Sequence, residues 1–242
     1  MAFGSKSRNN KKTELLNEQK QVLGEASAWP VQEAYKALRT NLMFSLPGNE
    51  SKVIGVTSAL QHDGKSINAV NMAISFAQLG KKVVLVEADL RMPTVGKKLG
   101  CKSVPGLTDV LVGQNCLMDV TQSSKDYRML SVIPAGNIPP DPTWLLQSNQ
   151  MKVLIQQFRK LYDYILIDLP PVTTVADASI MSRYADGFLI AVRHQTTEMP
   201  ALEDALSQLH LAEAKVLGFV YNDVTSEGGR YYKGYYKGYY KK

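Results

Sequence analysis

The sequence predicts an α/β protein built on a mostly parallel sheet with helices on both faces. Three observations lead there. Short apolar runs recur along the 242 residues with helical patterns between several of them, which is the rhythm of strands joined by crossover helices. The runs are continuous rather than alternating, as expected of strands buried on both sides. The first of them empties through a polar loop into Gly64-Lys65-Ser66 and then a helix, and two later ones end in acids. Hydrophobic content of 45% and charged content of 21% suit a soluble globular chain long enough for one large core.

Taken in order, residues 1–28 are polar without a sustained apolar stripe and read as a mobile N-terminal arm. Pro30 opens a helix over Val31–Phe44, with Val31, Ala34, Tyr35, Leu38, Leu42 and Met43 on its apolar face and Glu33, Lys36 and Arg39 on the other. A first strand occupies Val53–Val56. The helix after Ser66 carries Ala69, Met72, Ala73, Phe76 and Leu79 on one stripe, and Gly80-Lys81-Lys82 stops it. Val83–Val86 is the second strand, ending in Glu87-Ala88-Asp89-Leu90-Arg91, whose two carboxylates at i and i+2 point toward one crevice. Further strands are expected at Leu130–Ile133, Tyr164–Ile167, Phe188–Val192 and Val216–Val220, with helices over 150–161 and 199–211. The expected organisation is thus an arm (1–28), a domain (29–226) and a flexible tail (227–242).

The loop after the first strand is a recipe for holding a phosphate chain. Backbone N–H groups of the loop and of the first helical turn converge on one spot, where the helix dipole favours negative charge. Ala59, Leu60, Gln61, His62, Asp63, Gly64, Lys65, Ser66 and Ile67 form the expected cradle, with Lys65 on the outer phosphates and Ser66 on Mg²⁺. Tyr164–Ile167 followed by Asp168 and Pro170-Pro171 matches a Walker B strand, whose aspartate holds Mg²⁺ directly or through water. These elements make the expected fold that of a P-loop NTPase with ATP and Mg²⁺ as cofactors. Arg193 and Asn222, each near the end of a strand, are placed to reach a nucleotide base or sugar, or to satisfy a local turn.

The net charge of +6 is unevenly spread. Residues 228–242 hold five cations and no acid, leaving one net positive charge on the remainder, so no nucleic-acid face is expected. The same tail repeats Tyr-Tyr-Lys-Gly and holds six of the twelve tyrosines: Tyr231, Tyr232, Tyr235, Tyr236, Tyr239 and Tyr240. It reads either as a sticky low-complexity end or as a bank of phosphate acceptors. Cys101 and Cys116 lack a metal-ligand spacing and read as ordinary intracellular thiols. No stretch has the length and apolarity of a membrane span or a signal core. A cytoplasmic protein is expected, reaching a membrane through a partner.

Phosphate loop, the 87–91 cluster, Walker B strand and terminal tyrosines, in that order, resemble the bacterial tyrosine kinases (BY-kinases) of capsule and exopolysaccharide operons, in their stand-alone cytoplasmic Firmicutes form. The 87–91 cluster looks like that family's Walker A′ motif. Glu33, Lys36 and Arg39 look like its EX2RX2R oligomerisation motif, with Lys36 replacing an arginine. The resemblance implies an ATP-dependent tyrosine kinase that assembles into a ring, such as an octamer, and offers each tail to a neighbour's active site. It also implies a transmembrane adaptor of the polysaccharide co-polymerase class that activates the kinase at the inner face of the membrane, and a cognate tyrosine phosphatase. Carried across, Lys65 neutralises phosphate charge, and Ser66, Asp89 and Asp168 surround the metal. Arg91 buttresses the site, and Glu87 stands where an aspartate orients or deprotonates the acceptor phenol.

Three departures from the family pattern bear on rate more than on nucleotide binding. Glu87 is one methylene longer than aspartate. Leu60-Gln61-His62 replaces an acid, a proline and a glycine, and His62 is expected to need a backbone conformation open to a residue with a Cβ. Ile67-Asn68 replaces threonines. Two alternatives stay open at this level. One is a MinD/ParA-like ATPase, although Leu60 occupies the place of that group's signature lysine. The other is a nucleotide-binding scaffold without significant kinase activity.

Overall fold

A computed structural model describes residues 21–224. Seven strands form one sheet in the order β3-β4-β2-β5-β1-β6-β7. They are β1 (Lys52–Ser58), β2 (Val83–Glu87), β3 (Gln122–Ser123), β4 (Leu130–Ile133), β5 (Tyr164–Asp168), β6 (Gly187–Arg193) and β7 (Val216–Asn222). All neighbours are parallel except β3 with β4. The long helices are α1 (Trp29–Ser45), α2 (Lys65–Gln78), α7 (Asn149–Leu161) and α9 (Met199–Leu211). Shorter ones are α3 (Val95–Leu99), α4 (Leu107–Leu111), α5 (Leu117–Val120), α6 (Pro142–Gln147) and α8 (Asp177–Met181).

The apolar runs feed two cores because successive strand residues point to opposite faces. Val53, Val84, Val86, Ile165 and Ile167 pack with residues of α7, α8 and α9. Their neighbours Ile54, Val56, Val83, Leu85 and Leu166 pack with α1 and α2 on the other side. This is why the strands read as unbroken apolar runs. The chain leaves β1 for β2 on one side and passes from β5 over β1 to β6 on the other, so the crevice beyond the carboxyl end of β1 is the topological switch point.

Two boundaries differ from the sequence expectation. Residues 21–28 are docked rather than a free arm: Leu23 is buried, its N–H donates to Asn71 Oδ1 at 2.8 Å, and its carbonyl accepts from the Tyr127 hydroxyl at 2.5 Å. Partners so distant in sequence leave no trace in local composition. β7 also runs on to Asn222, which carries that side chain to the phosphate loop. The tail and its six tyrosines lie outside the described residues. Among the described residues no helix is long and apolar enough to cross a membrane.

Candidate active site

The phosphate loop joins β1 to α2 and is braced from inside. Asp63, fully buried, accepts the N–H of Leu60 at 2.9 Å and the Thr197 hydroxyl at 2.8 Å. Ser58 Oγ donates to the Leu60 carbonyl at 2.7 Å, and Thr173 Oγ1 donates to that of Ala59 at 2.5 Å. Ala59, Leu60 and Asp63 therefore build the loop, and none of them lines the cavity above it. Gln61, His62, Gly64, Lys65, Ser66, Ile67 and Asn222 do line it.

His62 adopts φ 68°, the small left-handed region that a residue with a Cβ can enter at some cost. Such a conformation costs a non-glycine residue about 1–2 kcal/mol. The Arg193 guanidinium lies against the His62 carbonyl at 3.4 Å while also binding Asp223 at 2.7 Å. Gly64 has φ 96°, and a Cβ there would sit 1.9 Å from Asn222 Nδ2. Asn222 donates to the Asp63 carbonyl at 3.0 Å, so only glycine fits beneath it.

Above the loop stands a cluster of charges. Lys65 Nζ lies 2.6 Å from Asp89 Oδ2, 3.8 Å from Asp168 Oδ1 and 3.2 Å from Ser66 Oγ. Burial works against the Lys65 charge, but Asp168 and Asp89 outweigh it and hold the ammonium pKa above its usual range. Asp168 is fully buried, and neither of its oxygens has a hydrogen-bond partner. Burial raises its pKa and Lys65 opposes that shift. A buried carboxylate with two unspent oxygens, next to a serine hydroxyl at a helix N-terminus, fits a hard cation that takes its other ligands from phosphate and water. Among the described residues no cluster of three or more His, Cys, Asp or Glu could hold a metal unaided.

Glu87 turns its carboxylate to backbone groups. Its Oε1 accepts the Val95 N–H at 2.5 Å and its Oε2 the Ala135 N–H at 3.2 Å; only 1% of the residue is exposed, and it does not line the cavity. The extra methylene carries the carboxylate past the crevice to the start of α3. Burial pushes its pKa up to about 7, against the Val95 hydrogen bond and with Asp168 adding repulsion. Asp89 keeps the cavity position, with Oδ1 accepting from the N–H of Arg91 at 3.3 Å and of Met92 at 3.0 Å. Arg91 binds the buried Asp177 at 3.1 Å and Thr143 at 3.0 Å, which fixes the turn after β2 from α6 and α8.

The open cavity, about 870 Å³, is large enough for a nucleotide. The profile of the AAA domain family matches residues 51–217. Tyrosine-protein kinase YwqD of Bacillus subtilis is 38% identical over 190 residues, spanning 78% of this chain and 80% of that protein. Tyrosine-protein kinase CpsD of Streptococcus agalactiae is 34% identical over 201 residues, 83% and 85% of the two chains. The chain belongs to the bacterial tyrosine-protein kinases. Tyrosine-protein kinase ptk of Acinetobacter johnsonii is 35% identical over 82% of this kinase but only 27% of its own length, so the same unit also occurs inside a longer polypeptide. Among solved structures, the kinase domain of Escherichia coli tyrosine kinase ETK superposes with a TM-score of 0.77 at 28% identity, over 80% of this kinase and 75% of that chain. The septum site-determining protein MinD of Pyrococcus horikoshii, complexed with Mg-ADP, shares the fold at a TM-score of 0.59 and 24% identity, over 70% and 69%.

Sequence reasoning missed several parts of the kinase site. Asp177 and Thr143, which hold Arg91, sit in segments too short to show a helical period. Thr197 follows a strand with nothing to mark it as the brace of Asp63. Asn68 was noted only as a departure from threonine, yet its amide binds the Gly64 carbonyl. Of the α1 residues, Glu33 and Lys36 pair at 2.8 Å on the exposed face, while Arg39 turns inward to the Ser75 carbonyl at 2.5 Å.

Proposed function

We propose that this tyrosine kinase uses Mg-ATP to phosphorylate Tyr231, Tyr232, Tyr235, Tyr236, Tyr239 and Tyr240, each tail entering the site of a neighbouring copy within an oligomer. The observation that carries this reading is the Lys65–Asp89–Asp168–Ser66 cluster over the phosphate loop, in a chain whose only tyrosine-dense segment is a basic tail. Lys65 would leave Asp89 for the outer phosphates. The phenol oxygen then bonds to the γ-phosphorus as the bond to the β-phosphate oxygen breaks, and ADP leaves. Asp89 borders the cavity, and its Oδ2, once Lys65 has left it, takes the phenolic proton. A bound Mg²⁺, for which Ser66 and Asp168 are the fitting ligands, would supply neutralisation of the charge building on the phosphates. Glu87 holds the turn from β2 into α3 and Arg91 the turn from β2 toward α6.

The resemblance to the kinases of capsule and exopolysaccharide operons supports a role in regulating capsular or exopolysaccharide synthesis. That the kinase unit is only 27% of the ptk chain supports a division of labour in which a transmembrane adaptor recruits and activates this shorter chain at the membrane. A cognate phosphatase would reverse the modification. Glu33, Lys36 and Arg39 are the proposed oligomer contacts, with Arg39 first released from Ser75. The test mixes a Lys65→Met chain bearing the intact tail with a chain whose six tail tyrosines are phenylalanine. With Mg-ATP and the adaptor's cytoplasmic segment, phosphotyrosine mapped to 231–240 of the Lys65→Met chain is the expected result. Its absence there, while unmixed wild type labels its own tail, sinks transfer between copies. No labelling of wild type sinks the tail as acceptor.

A further inference from the structure

A buried run of hydrogen bonds, unused by the mechanism above, joins the segment before α1 to the phosphate loop. The Tyr35 hydroxyl donates to Asn68 Oδ1 at 2.9 Å and accepts from Asn71 Nδ2 at 3.1 Å. Asn71 Oδ1 accepts the N–H of Leu23 at 2.8 Å, and its Nδ2 also donates to the Gln21 carbonyl at 3.1 Å. At the other end, Asn68 Nδ2 donates to the Gly64 carbonyl at 2.9 Å, beside the helical bond from its own N–H at 3.0 Å. Tyr35, Asn68, Asn71 and Leu23 are all buried, so losing one of these bonds leaves its partner poorly satisfied.

The end of this run matters because the Gly64 carbonyl and the Lys65 N–H share one planar peptide and point in opposite directions. Holding the carbonyl toward Asn68 aims the N–H into the cradle, where a phosphate oxygen would sit. The cavity itself is bordered by Gln21, Ala26, Ser27 and Tyr35 on one side and by Gly64 and Lys65 on the other. We infer that Tyr35 is a positioning residue for the phosphate loop, and that docking of residues 21–23 onto Asn71 tightens nucleotide binding through it. The inference rests on the reading of this loop as the nucleotide site. Coupling of this kind is reciprocal, so bound nucleotide must in turn hold Leu23 more firmly.

The test uses the full chain, a fluorescent ADP analogue with Mg²⁺, and three proteins: wild type, Tyr35→Phe and Lys65→Met. Loss of one buried hydroxyl is expected to raise the dissociation constant about fivefold to twentyfold. The KM for ATP should rise in proportion, with kcat at saturating ATP within about twofold of wild type. In wild type, saturating Mg-ADP should slow hydrogen exchange at the Leu23 amide, and Tyr35→Phe should lose that slowing. Wild-type affinity in Tyr35→Phe, beside a Lys65→Met that has lost binding, overturns the relay alone. Unimpaired binding by Lys65→Met overturns the nucleotide reading instead, and the relay with it. Should Tyr35→Phe fail to fold, exchange at Leu23 in wild type decides, and indifference to Mg-ADP overturns the proposal.

Discussion

Glu87 ends β2 and Asp168 ends β5, and the two face each other across the parallel ladder. Both are buried carboxylates on adjacent strands, and burial raises the pKa of each. Yet Glu87 spends both oxygens on backbone N–H groups, whereas the Asp168 oxygens make no close hydrogen bond and have only the Ser66 hydroxyl and Lys65, at 3.8 Å, nearby. A buried carboxylate satisfied by backbone suits a part of the fold; on the proposed function, one left unsatisfied beside Lys65 and Ser66 would take a cation that arrives with the substrate. Position after a strand does not separate the two roles. The partners of the oxygens do.

The largest expected effect is at the lysine facing both aspartates. Lys65→Met should lower tail phosphorylation by about a thousandfold or more, measured as initial rate with Mg-ATP. Next, Asp168→Asn should reduce kcat by about a hundredfold or more while leaving the nucleotide-free melting temperature unchanged or higher, since it removes a fully buried charge and Asp89 still pairs with Lys65 at 2.6 Å. A clear drop in that melting temperature would break the contrast, by showing that Asp168 already stabilises the fold. Glu87→Gln should do the reverse. Its amide cannot accept from both Val95 and Ala135, so stability should fall by about 1–3 kcal/mol, read by denaturant titration, with kcat within about tenfold of wild type. A thousandfold loss of kcat with unchanged stability would return Glu87 to the chemistry.

The last expected effect is on pH dependence. Glu87 has a folded pKa of about 7, above the usual carboxylate value of 4.5, so the folded state binds the proton more tightly than the unfolded one. Its contribution is fully present below pH 4.5 and is lost as pH rises through 7, a change of about 3 kcal/mol at most. Nucleotide-free wild type should lose stability between those pH values, and Glu87→Gln should show a flatter profile. A profile as steep in Glu87→Gln would assign the titration to Asp168.

The contrast also shows what was legible. Strands β1, β2, β4, β5, β6 and β7 announce themselves because burial on both faces writes an unbroken apolar run. The long helices show because their stripes outlast two turns. The short helices α3 to α6 and α8 do not span enough residues to display a period, and with them went Asp177 and Thr143. Gly64, Lys65 and Ser66 were readable because a phosphate-binding turn needs those residue types in consecutive places, and Asp89 and Asp168 because each follows an apolar strand run. Glu87 was readable as a carboxylate at the end of a strand, but its length sends it past the crevice to N–H groups 8 and 48 residues away.

By itself, then, the sequence determined the α/β layering, the phosphate loop and the acids at the strand ends, because periodicity and local backbone chemistry are properties of neighbours in the chain. Only the tertiary structure decided which acid is satisfied and which is open, that His62 takes a left-handed conformation beneath Arg193, and that residues 21–23 are tied through Asn71 and Tyr35 to Gly64. Those outcomes depend on where a side chain's hydrogen-bond partners come to lie. Partners brought together from dozens of residues apart leave no pattern in the order of the amino acids.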